Sequence, residues 1–370
     1  MSIKLVCDVT MNLGGSIRPA IYLAKDLASR GYDVSVISPI MSNDVEHHLI
    51  ANGITPVNLC TNFLTKNLDP SLLWFEAWAR EAFLGSYSRH LGDELVVTIN
   101  FSQMISVPSL ICYLQGPPSV ALKDMKKEFP INLRIVYNIL SPIIEYFDEK
   151  LISQMIRGSP LIISNSKFCA SMYSELGVKV DDVIYPPIEC RTFHPSMSKP
   201  SSDYVLTYFG KETIFSIIKK IADSGVKIKA FGSKKPVHSR VLKHPNIEFR
   251  GTVTTSELVD LYSNALFTLF PFTHEPFGYV PLESMACGTP VLTYDVQGPS
   301  EYIVTDHTGW LTHTDAEMAQ KAKELWTRGY PSRIRLNCVK KAINFDRKLY
   351  LEKWLKTLNN FPNLAESEKS

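Results

Sequence analysis

The chain opens on an apolar run at 4–8 (Lys-Leu-Val-Cys-Asp), turns at Gly14-Gly15, and then sets Ile17, Ala20, Ile21, Ala24, Leu27 and Ala28 three and four positions apart. That pattern is a strand, a tight turn and one face of a helix. Gly31 stops the helix and Val34-Ser-Val-Ile37 supplies a second strand, so the first forty residues read as one βαβ unit with parallel strands. Further strand-like runs at 95–99, 109–114 and 161–164, with helical segments between them, carry the alternation to about residue 190.

A polar stretch at 196–203 then breaks the pattern and has the composition of a linker. Beyond it the alternation restarts, with strands expected at 204–209, 226–231, 266–270 and 290–294 and helices at 213–224, 257–265, 281–287 and 315–327. The simplest α/β architecture is two Rossmann-like domains in tandem, at 1–197 and 198–345, followed by a C-terminal helix and polar tail at 346–370. Ligands of such sheets gather at the C-terminal ends of the strands, which places the expected reaction in the cleft between two facing domains.

Composition narrows the function. A chain of 370 residues that is 45% hydrophobic and 21% charged is too large for one compact core and suits two domains. Lys+Arg 39 against Asp+Glu 37 leaves a net charge of +2, so no nucleic-acid partner is expected and any basic site must be local. The N-terminus enters its strand without a secretion-type leader. Seven scattered cysteines without a CxxC pair read as reduced thiols of a cytoplasmic protein.

No apolar stretch is long enough to span a bilayer. Residues 131–147 (INLRIVYNILSPIIEYF), preceded by Lys123, Lys126 and Lys127, are expected to form a helix packed in the N-terminal core. Their composition also allows a second reading, peripheral contact with the cytoplasmic face of a membrane.

Chemistry concentrates at 274–290, His-Glu-Pro-Phe-Gly-Tyr-Val-Pro-Leu-Glu-Ser-Met-Ala-Cys-Gly-Thr-Pro, read as the end of a strand opening a short helix. Seven residues separate Glu275 from Glu283, and Gly278 between them lets backbone approach a ligand closely. Amides at a helix start favour an anion or a sugar oxygen, and Glu283 inside the helix is placed to accept hydrogen bonds from a diol. His274 suits a structural hydrogen bond as well as a ligand contact. His47-His48 has no cysteine or carboxylate at ligand spacing, so no metal centre is expected there. The absence of a DxD run, a GxGxxG turn and a GxxxxGK[ST] loop disfavours a metal-dependent transferase, a dehydrogenase and a P-loop enzyme.

In Glu275-Pro-Phe-Gly-Tyr-Val-Pro-Leu-Glu283 and the following Ser-Met-Ala-Cys-Gly-Thr-Pro-Val291, the chain resembles the retaining glycosyltransferases of family 4. Those proteins have the GT-B fold, two Rossmann-like domains facing across a cleft. Asn12-Leu-Gly-Gly15, Ile163-Ser-Asn-Ser166, Val183-Ile-Tyr-Pro-Pro187, Phe193-His-Pro195, Gln297-Gly-Pro-Ser-Glu301 and Gly309-Trp-Leu311 are similar to other segments of that family. Residues 347–356 resemble its final helix, which crosses back to the first domain.

The resemblance implies roles. Glu283 would hold the ribose hydroxyls of a nucleotide sugar and Glu275 the hydroxyls of the transferred hexose. The amides of Phe277, Gly278 and Tyr279 would face the sugar and diphosphate, and the amide of Gly15 the distal phosphate. Gly232, Arg250, Gly251 and Val253 would line the nucleotide, and Ser16, Arg18 and Gln115 would flank the acceptor.

Two departures stand out. The family usually offers an Arg and a Lys to the diphosphate after the first strand of the second domain, whereas Tyr208-Phe-Gly-Lys-Glu-Thr213 offers Lys211 alone, an ammonium without the bidentate geometry of Arg. Lys219, Lys220, Lys234 and Lys235 read as a solvated face. Many relatives place a His where this chain has Gln115, and Gln cannot serve as a base. That suits a front-face reaction in which the leaving phosphate takes the acceptor proton.

The expected function is transfer of a hexose from a GDP- or UDP-sugar to a hydroxyl of a glycan, lipid-linked acceptors included, with retention of configuration and with neither metal nor cofactor. A nucleotide-sugar epimerase on the same fold and a catalytically weak nucleotide-sugar-binding module remain as alternatives.

Overall fold

A computed structural model describes residues 2–60, 62–65, 70–88, 91, 97–129, 131–196, 199–234, 237 and 239–361. The chain divides into two compact units. The first comprises Met1–Leu122, Asn132–Pro187 and Lys348–Ser370, and the second Lys123–Ile131 and Ile188–Arg347. Of the expected strand at 95–99 and linker at 196–203, positions 95, 96, 197 and 198 lie outside the described residues.

The first unit is built on seven strands: β1 (Ser2–Val6), β2 (Asp33–Ser38), β3 (Thr55–Asn58), β4 (Val97–Asn100), β5 (Ile111–Leu114), β6 (Leu161–Ser164) and β7 (Asp182–Val183), in the order β3-β2-β1-β4-β5-β6-β7. All pair in parallel; Ile3 sits opposite Val34 on one side and Val97 on the other. The strand order reverses between β1 and β4, so the loops after these two strands open the crevice of this sheet.

The helix Arg18–Ala28 buries Ala20, Ile21, Leu23, Ala24 and Leu27, the apolar face expected from the sequence, and Gly31 follows at φ +85°. The C-terminal helix Arg347–Asn359 contributes Tyr350, Leu351, Trp354 and Leu358 to the same core. Trp354 packs 5.5 Å from Phe101 and 5.7 Å from Tyr113 between ring centroids, and the Tyr350 hydroxyl donates to the Pro19 carbonyl at 2.9 Å. Burying such side chains contributes on the order of 2–3 kcal/mol each, which holds the chain's C-terminal helix in this unit.

The segment at 131–147 lies in the expected helix, which runs over 28 residues, Ile131–Gly158, and packs by one side, at Tyr137, Ile144, Phe147, Leu151, Ile152 and Met155. Ile135, Val136, Ile139, Ile143 and Tyr146 are exposed. The helix runs through Pro142, whose missing amide releases the carbonyl of Asn138; the Ser141 hydroxyl donates to that carbonyl at 3.3 Å.

The second unit holds six parallel strands: β8 (Val205–Phe209), β9 (Ile228–Gly232), β10 (Ile247–Gly251), β11 (Thr268–Phe270), β12 (Val291–Tyr294) and β13 (Gly309–Thr312), in the order β10-β9-β8-β11-β12-β13. Its strand order reverses between β8 and β11. The loops after those strands zip together: Thr213 bridges to Phe272, Ile214 N–H donates to the Pro271 carbonyl at 2.8 Å, and Thr273 N–H to the Glu212 carbonyl at 2.9 Å. The expected strands start one or two residues late, and the signature at 274–278 is a loop, with its helix running Tyr279–Ala286 where 281–287 was expected.

Candidate active site

The second unit's crevice is assembled by that zipped pair of loops. After β8 the chain turns sharply, closed by Thr213, whose hydroxyl accepts from Gly210 N–H at 2.9 Å and donates to the Tyr208 carbonyl at 3.0 Å. Glu212 is thereby carried alongside the loop after β11, which ends in Glu275. Gly278 sits at φ +94° at the mouth of the helix Tyr279–Ala286, and a Cβ there would come within 2.8 Å of both Pro299 Cγ and the Tyr302 hydroxyl. That hydroxyl shares its proton between the carbonyls of Phe277 and Gly278, at 2.9 and 2.8 Å, and fixes the turn.

Glu275 folds back over the helix start, where its carboxylate accepts from Phe277 N–H at 3.2 Å. Burial, and then the neighbouring Glu212 carboxylate, push it up from 4.5 to about 7, against the opposing pull of the Phe277 amide and His274. Burial likewise raises Glu212. Two carboxylates that resist ionising together mark a site built to meet donors, whether hydroxyls or cations.

A group held above its unfolded value leaves the fold unpenalised at low pH and costs stability as pH rises through its folded value. Removing this group should therefore help the ligand-free protein progressively between those two values. Thermal unfolding of Glu275→Gln is expected to match the wild type near pH 4.5, to exceed it increasingly up to about pH 7, and to keep that difference at pH 8. An equal difference at both ends would contradict the burial of a strained carboxylate.

Glu283 lies in the middle of the helix at 3% exposure and accepts from the Tyr262 hydroxyl at 3.2 Å. His274 is buried and hydrogen-bonded through Nδ1 to Asp124 at 2.9 Å, a structural bond within this unit. Among the described residues no group of three or more His, Cys, Asp and Glu is arranged to hold a metal.

Beside these carboxylates opens a cavity of about 580 Å³ at the C-terminal ends of β8, β9 and β10, lined by the apolar and aromatic Tyr208, Phe231, Phe249 and Leu258 together with Gly232–Lys234 and Gly251–Val253. Its volume falls within the range that takes a drug-sized ligand. Tyr208 belongs to both places, because it lines the cavity and its phenol is raised by Glu212, Glu275 and Glu283 after burial itself. Gly232, at φ +117°, lets β9 end against β8: a Cβ would stand 2.5 Å from the Phe209 carbonyl and 2.8 Å from the Tyr208 ring. Gly232→Ala should therefore strain the end of β9 and lower the stability of the protein by about 1–3 kcal/mol. Thermal unfolding unchanged from the wild type would contradict the close approach.

In the first unit, Ser16 and Gln115 meet at a recess of about 20 Å³ lined also by Asp8, Thr10 and Phe101. Gln115 is engaged: its side-chain amide donates to the Phe101 carbonyl at 2.9 Å, and its backbone N–H to Gln103 Oε1 at 3.1 Å. Gly15, at φ +62°, opens the turn Gly15–Ile17, and Arg18 begins the helix behind it. Asp8, which the sequence reading passed over, is held up at about 6 by burial despite the Ser102 hydroxyl and the Met104 and Gln103 amides that bind it.

The structure thus brings together Glu275, Gly278 and Glu283 on one helix opening, and Gly232, Gly251 and Val253 on one cavity. Phe277 is buried, and Tyr279 packs on it with ring centroids 5.4 Å apart. The Phe277 amide, expected to face the diphosphate, is taken by Glu275. The Arg250 side chain pairs with Glu248 at 2.6 Å and is not among the residues that line the cavity, although its chain neighbours Phe249 and Gly251 are. Phe249 takes that place, as the alternation of a strand requires. Lys211 is exposed in the turn after β8 next to Glu212. Lys234 lines the cavity, Lys219 is paired with Asp223 at 2.7 Å, and Lys235 lies outside the described residues. Glu212 and Tyr208 were missed as functional groups; their position in the loop and strand beside Lys211 was the available signal.

Residues 217–344 match the family model described as glycosyl transferases group 1. The D-inositol 3-phosphate glycosyltransferase of Streptomyces bingchenggensis is 37% identical over 81 residues, 21% of this chain and 18% of that protein. The GDP-mannose-dependent alpha-(1-6)-phosphatidylinositol dimannoside mannosyltransferase of Mycobacterium tuberculosis is 21% identical over 200 residues, 49% of this chain and 52% of that protein. The chain thus spans between about a fifth and about half the length of these relatives. The crystal structure of Anabaena HepE (Alr3699) in complex with UDP and glucose superposes over 98% of this chain and 100% of its own, with a TM-score of 0.67 at 18% identity. The second unit therefore contains a segment matching the group 1 glycosyl transferases, in a chain with the two Rossmann-like domains of the GT-B fold.

Proposed function

We propose that the protein is a retaining glycosyltransferase of family 4 that moves a hexose from a nucleotide diphosphate sugar to a hydroxyl of a glycan, lipid-linked acceptors included. The observation that carries this reading is the place of Tyr208, which walls a nucleotide-sized cavity and lies within electrostatic reach of Glu212, Glu275 and Glu283. A cavity with aromatic walls and a glycine-lined floor suits a flat base read by backbone. Glu283 beside it suits the ribose diol, and Glu275 at the helix mouth suits the hydroxyls of the hexose. Binding of UDP and glucose by HepE supports a nucleotide sugar as donor.

Lys211, Lys234 and the helix opening Tyr279–Ala286 stabilise the leaving diphosphate without a metal. The Phe277 amide serves that charge when the donor's hydroxyls take over the Glu275 carboxylate. On the acceptor side, Gln115 acts as a fixed wall beside Ser16 and Arg18, and the leaving phosphate takes the acceptor proton. We place the reaction in the cytoplasm, a reading supported by seven free cysteines, five of them buried.

Release of nucleoside diphosphate, followed across nucleotide sugars and a panel of sugar and lipid-linked sugar acceptors, tests the reading. It should require both substrates, persist in EDTA, and fall about tenfold or more in Lys211→Ala with little change in nucleoside affinity. Equal losses in both quantities would argue against a diphosphate contact at Lys211.

A further inference from the structure

The crevice of the first sheet opens at the ends of β1 and β4, and one buried side chain ties both to the end of β5. β4 and β5 pair only through Ile99 with Ile111 and Asn100 with Cys112; past those rungs the amide of Gln103 spans them. Its Nε2 donates to the carbonyls of Phe101 and Tyr113 at 3.2 and 3.3 Å. Its Oε1 accepts from Gln115 N–H at 3.1 Å and from the hydroxyl of Tyr173, on the helix Lys167–Glu175. Both N–H groups and both oxygen lone pairs are therefore used, which leaves the amide a single orientation. The backbone N–H of Gln103 reaches the end of β1 and donates to Asp8 Oδ1 at 3.0 Å.

What Gln103 holds in place lines the recess of about 20 Å³ where Asp8, Ser16 and Gln115 meet. Asp8 is fixed through its carbonyl, which accepts from the Thr10 and Ser38 hydroxyls at 2.7 and 2.8 Å. Its Oδ1 accepts from Met104 N–H at 3.1 Å and from the Ser102 hydroxyl as well as from Gln103. Among the described residues no donor binds its second carboxylate oxygen. A recess of that volume takes one water-sized group, and a carboxylate oxygen free to accept suits a hydroxyl. Gln103 itself is 7% exposed and is not part of the lining. An amide buried this deeply gives up its hydration for four protein partners, and a fully satisfied buried network fixes a single arrangement of the groups it binds.

We propose that Gln103 is a positioning residue for the acceptor. It acts through Asp8 and Gln115, holding the carboxylate and the loop after β5 where an acceptor hydroxyl is seated, and it does not touch that hydroxyl itself. The proposal rests on the transferase reading and on acceptor entry at the crevice of the first unit.

The test uses the full chain with a UDP-, GDP- or ADP-hexose, whichever it binds, and the methyl and octyl glycosides of glucose, galactose and mannose as acceptors, read as release of nucleoside diphosphate. Gln103→Leu removes all four side-chain hydrogen bonds, and Tyr173→Phe removes one. Gln103→Leu should raise the acceptor KM by about tenfold or more while kcat and the affinity for free nucleoside diphosphate stay within about threefold of the wild type. Amide hydrogen exchange at Gln115, which needs no substrate, should quicken by about tenfold or more. If Gln103→Leu does not fold, Tyr173→Phe should still raise the acceptor KM, by about twofold or more. An unchanged acceptor KM, or unchanged exchange at Gln115, would overturn the proposal. So would parallel losses in kcat and nucleotide affinity, the mark of a merely structural residue. A wild-type chain that transfers to none of these glycosides, even as exchange at Gln115 quickens in the variant, would instead remove the transferase reading, and the acceptor role with it.

Discussion

Glu275→Ala is expected to lower the turnover of sugar transfer on the order of a hundredfold or more while leaving nucleotide affinity within about threefold of the wild type. The carboxylate is held at the helix mouth by the Phe277 amide and kept partly protonated near neutrality by burial and by Glu212. Such a group can exchange a backbone amide for substrate hydroxyls at little cost, and the role proposed for it is on the sugar, not on the base. Steady-state kinetics paired with calorimetry on the free nucleotide separate the two effects. Undiminished turnover would remove Glu275 from the site, and a parallel loss of nucleotide affinity would mean that the variant disturbs the whole helix opening.

Glu283→Ala is expected to show the complementary split, with nucleotide affinity falling on the order of a hundredfold or more. Two hydrogen bonds from a ribose diol to a charged carboxylate contribute about 1.5–3 kcal/mol each, and about 1.4 kcal/mol is tenfold in affinity. The same change removes the hydrogen bond from the buried Tyr262 hydroxyl to Glu283, so the free protein should lose about 1–3 kcal/mol of stability. Glu283→Gln keeps an acceptor for Tyr262 and should recover the stability but only part of the affinity. Titration of both variants with nucleoside diphosphate measures the split, and equal affinities in the alanine and wild-type proteins would place the ribose elsewhere.

Much of this arrangement was legible in local pattern. The face Ala20-Ile21-Leu23-Ala24-Leu27 was readable because a single helix turn fixes which residues share a side. The pair Glu275 and Glu283 was readable because loop and helix are contiguous. Glu212 was not, because it reaches Glu275 only through the zipping of two loops about sixty residues apart, a consequence of β11 pairing with β8. Phe249 was not singled out because β10 went unrecognised: its polar alternation and edge position hide it, and without the strand nothing says that Phe249 turns inward and the Arg250 side chain outward. β3, which carries Pro56 at the corresponding edge of the first sheet, was missed for a similar reason. The helix Ile131–Gly158 is apolar on both sides, and periodicity cannot say which side is covered.

The central claim is that the second unit's cavity holds the nucleotide of a sugar donor beside Glu275 and Glu283. Calorimetric titration of the full chain with UDP, GDP and ADP and their hexose conjugates tests it most directly. The account predicts saturable one-to-one binding of one nucleotide series, weakened by Glu283→Ala and retained in Glu275→Ala. Absence of binding in every series, or binding indifferent to Glu283, would contradict it.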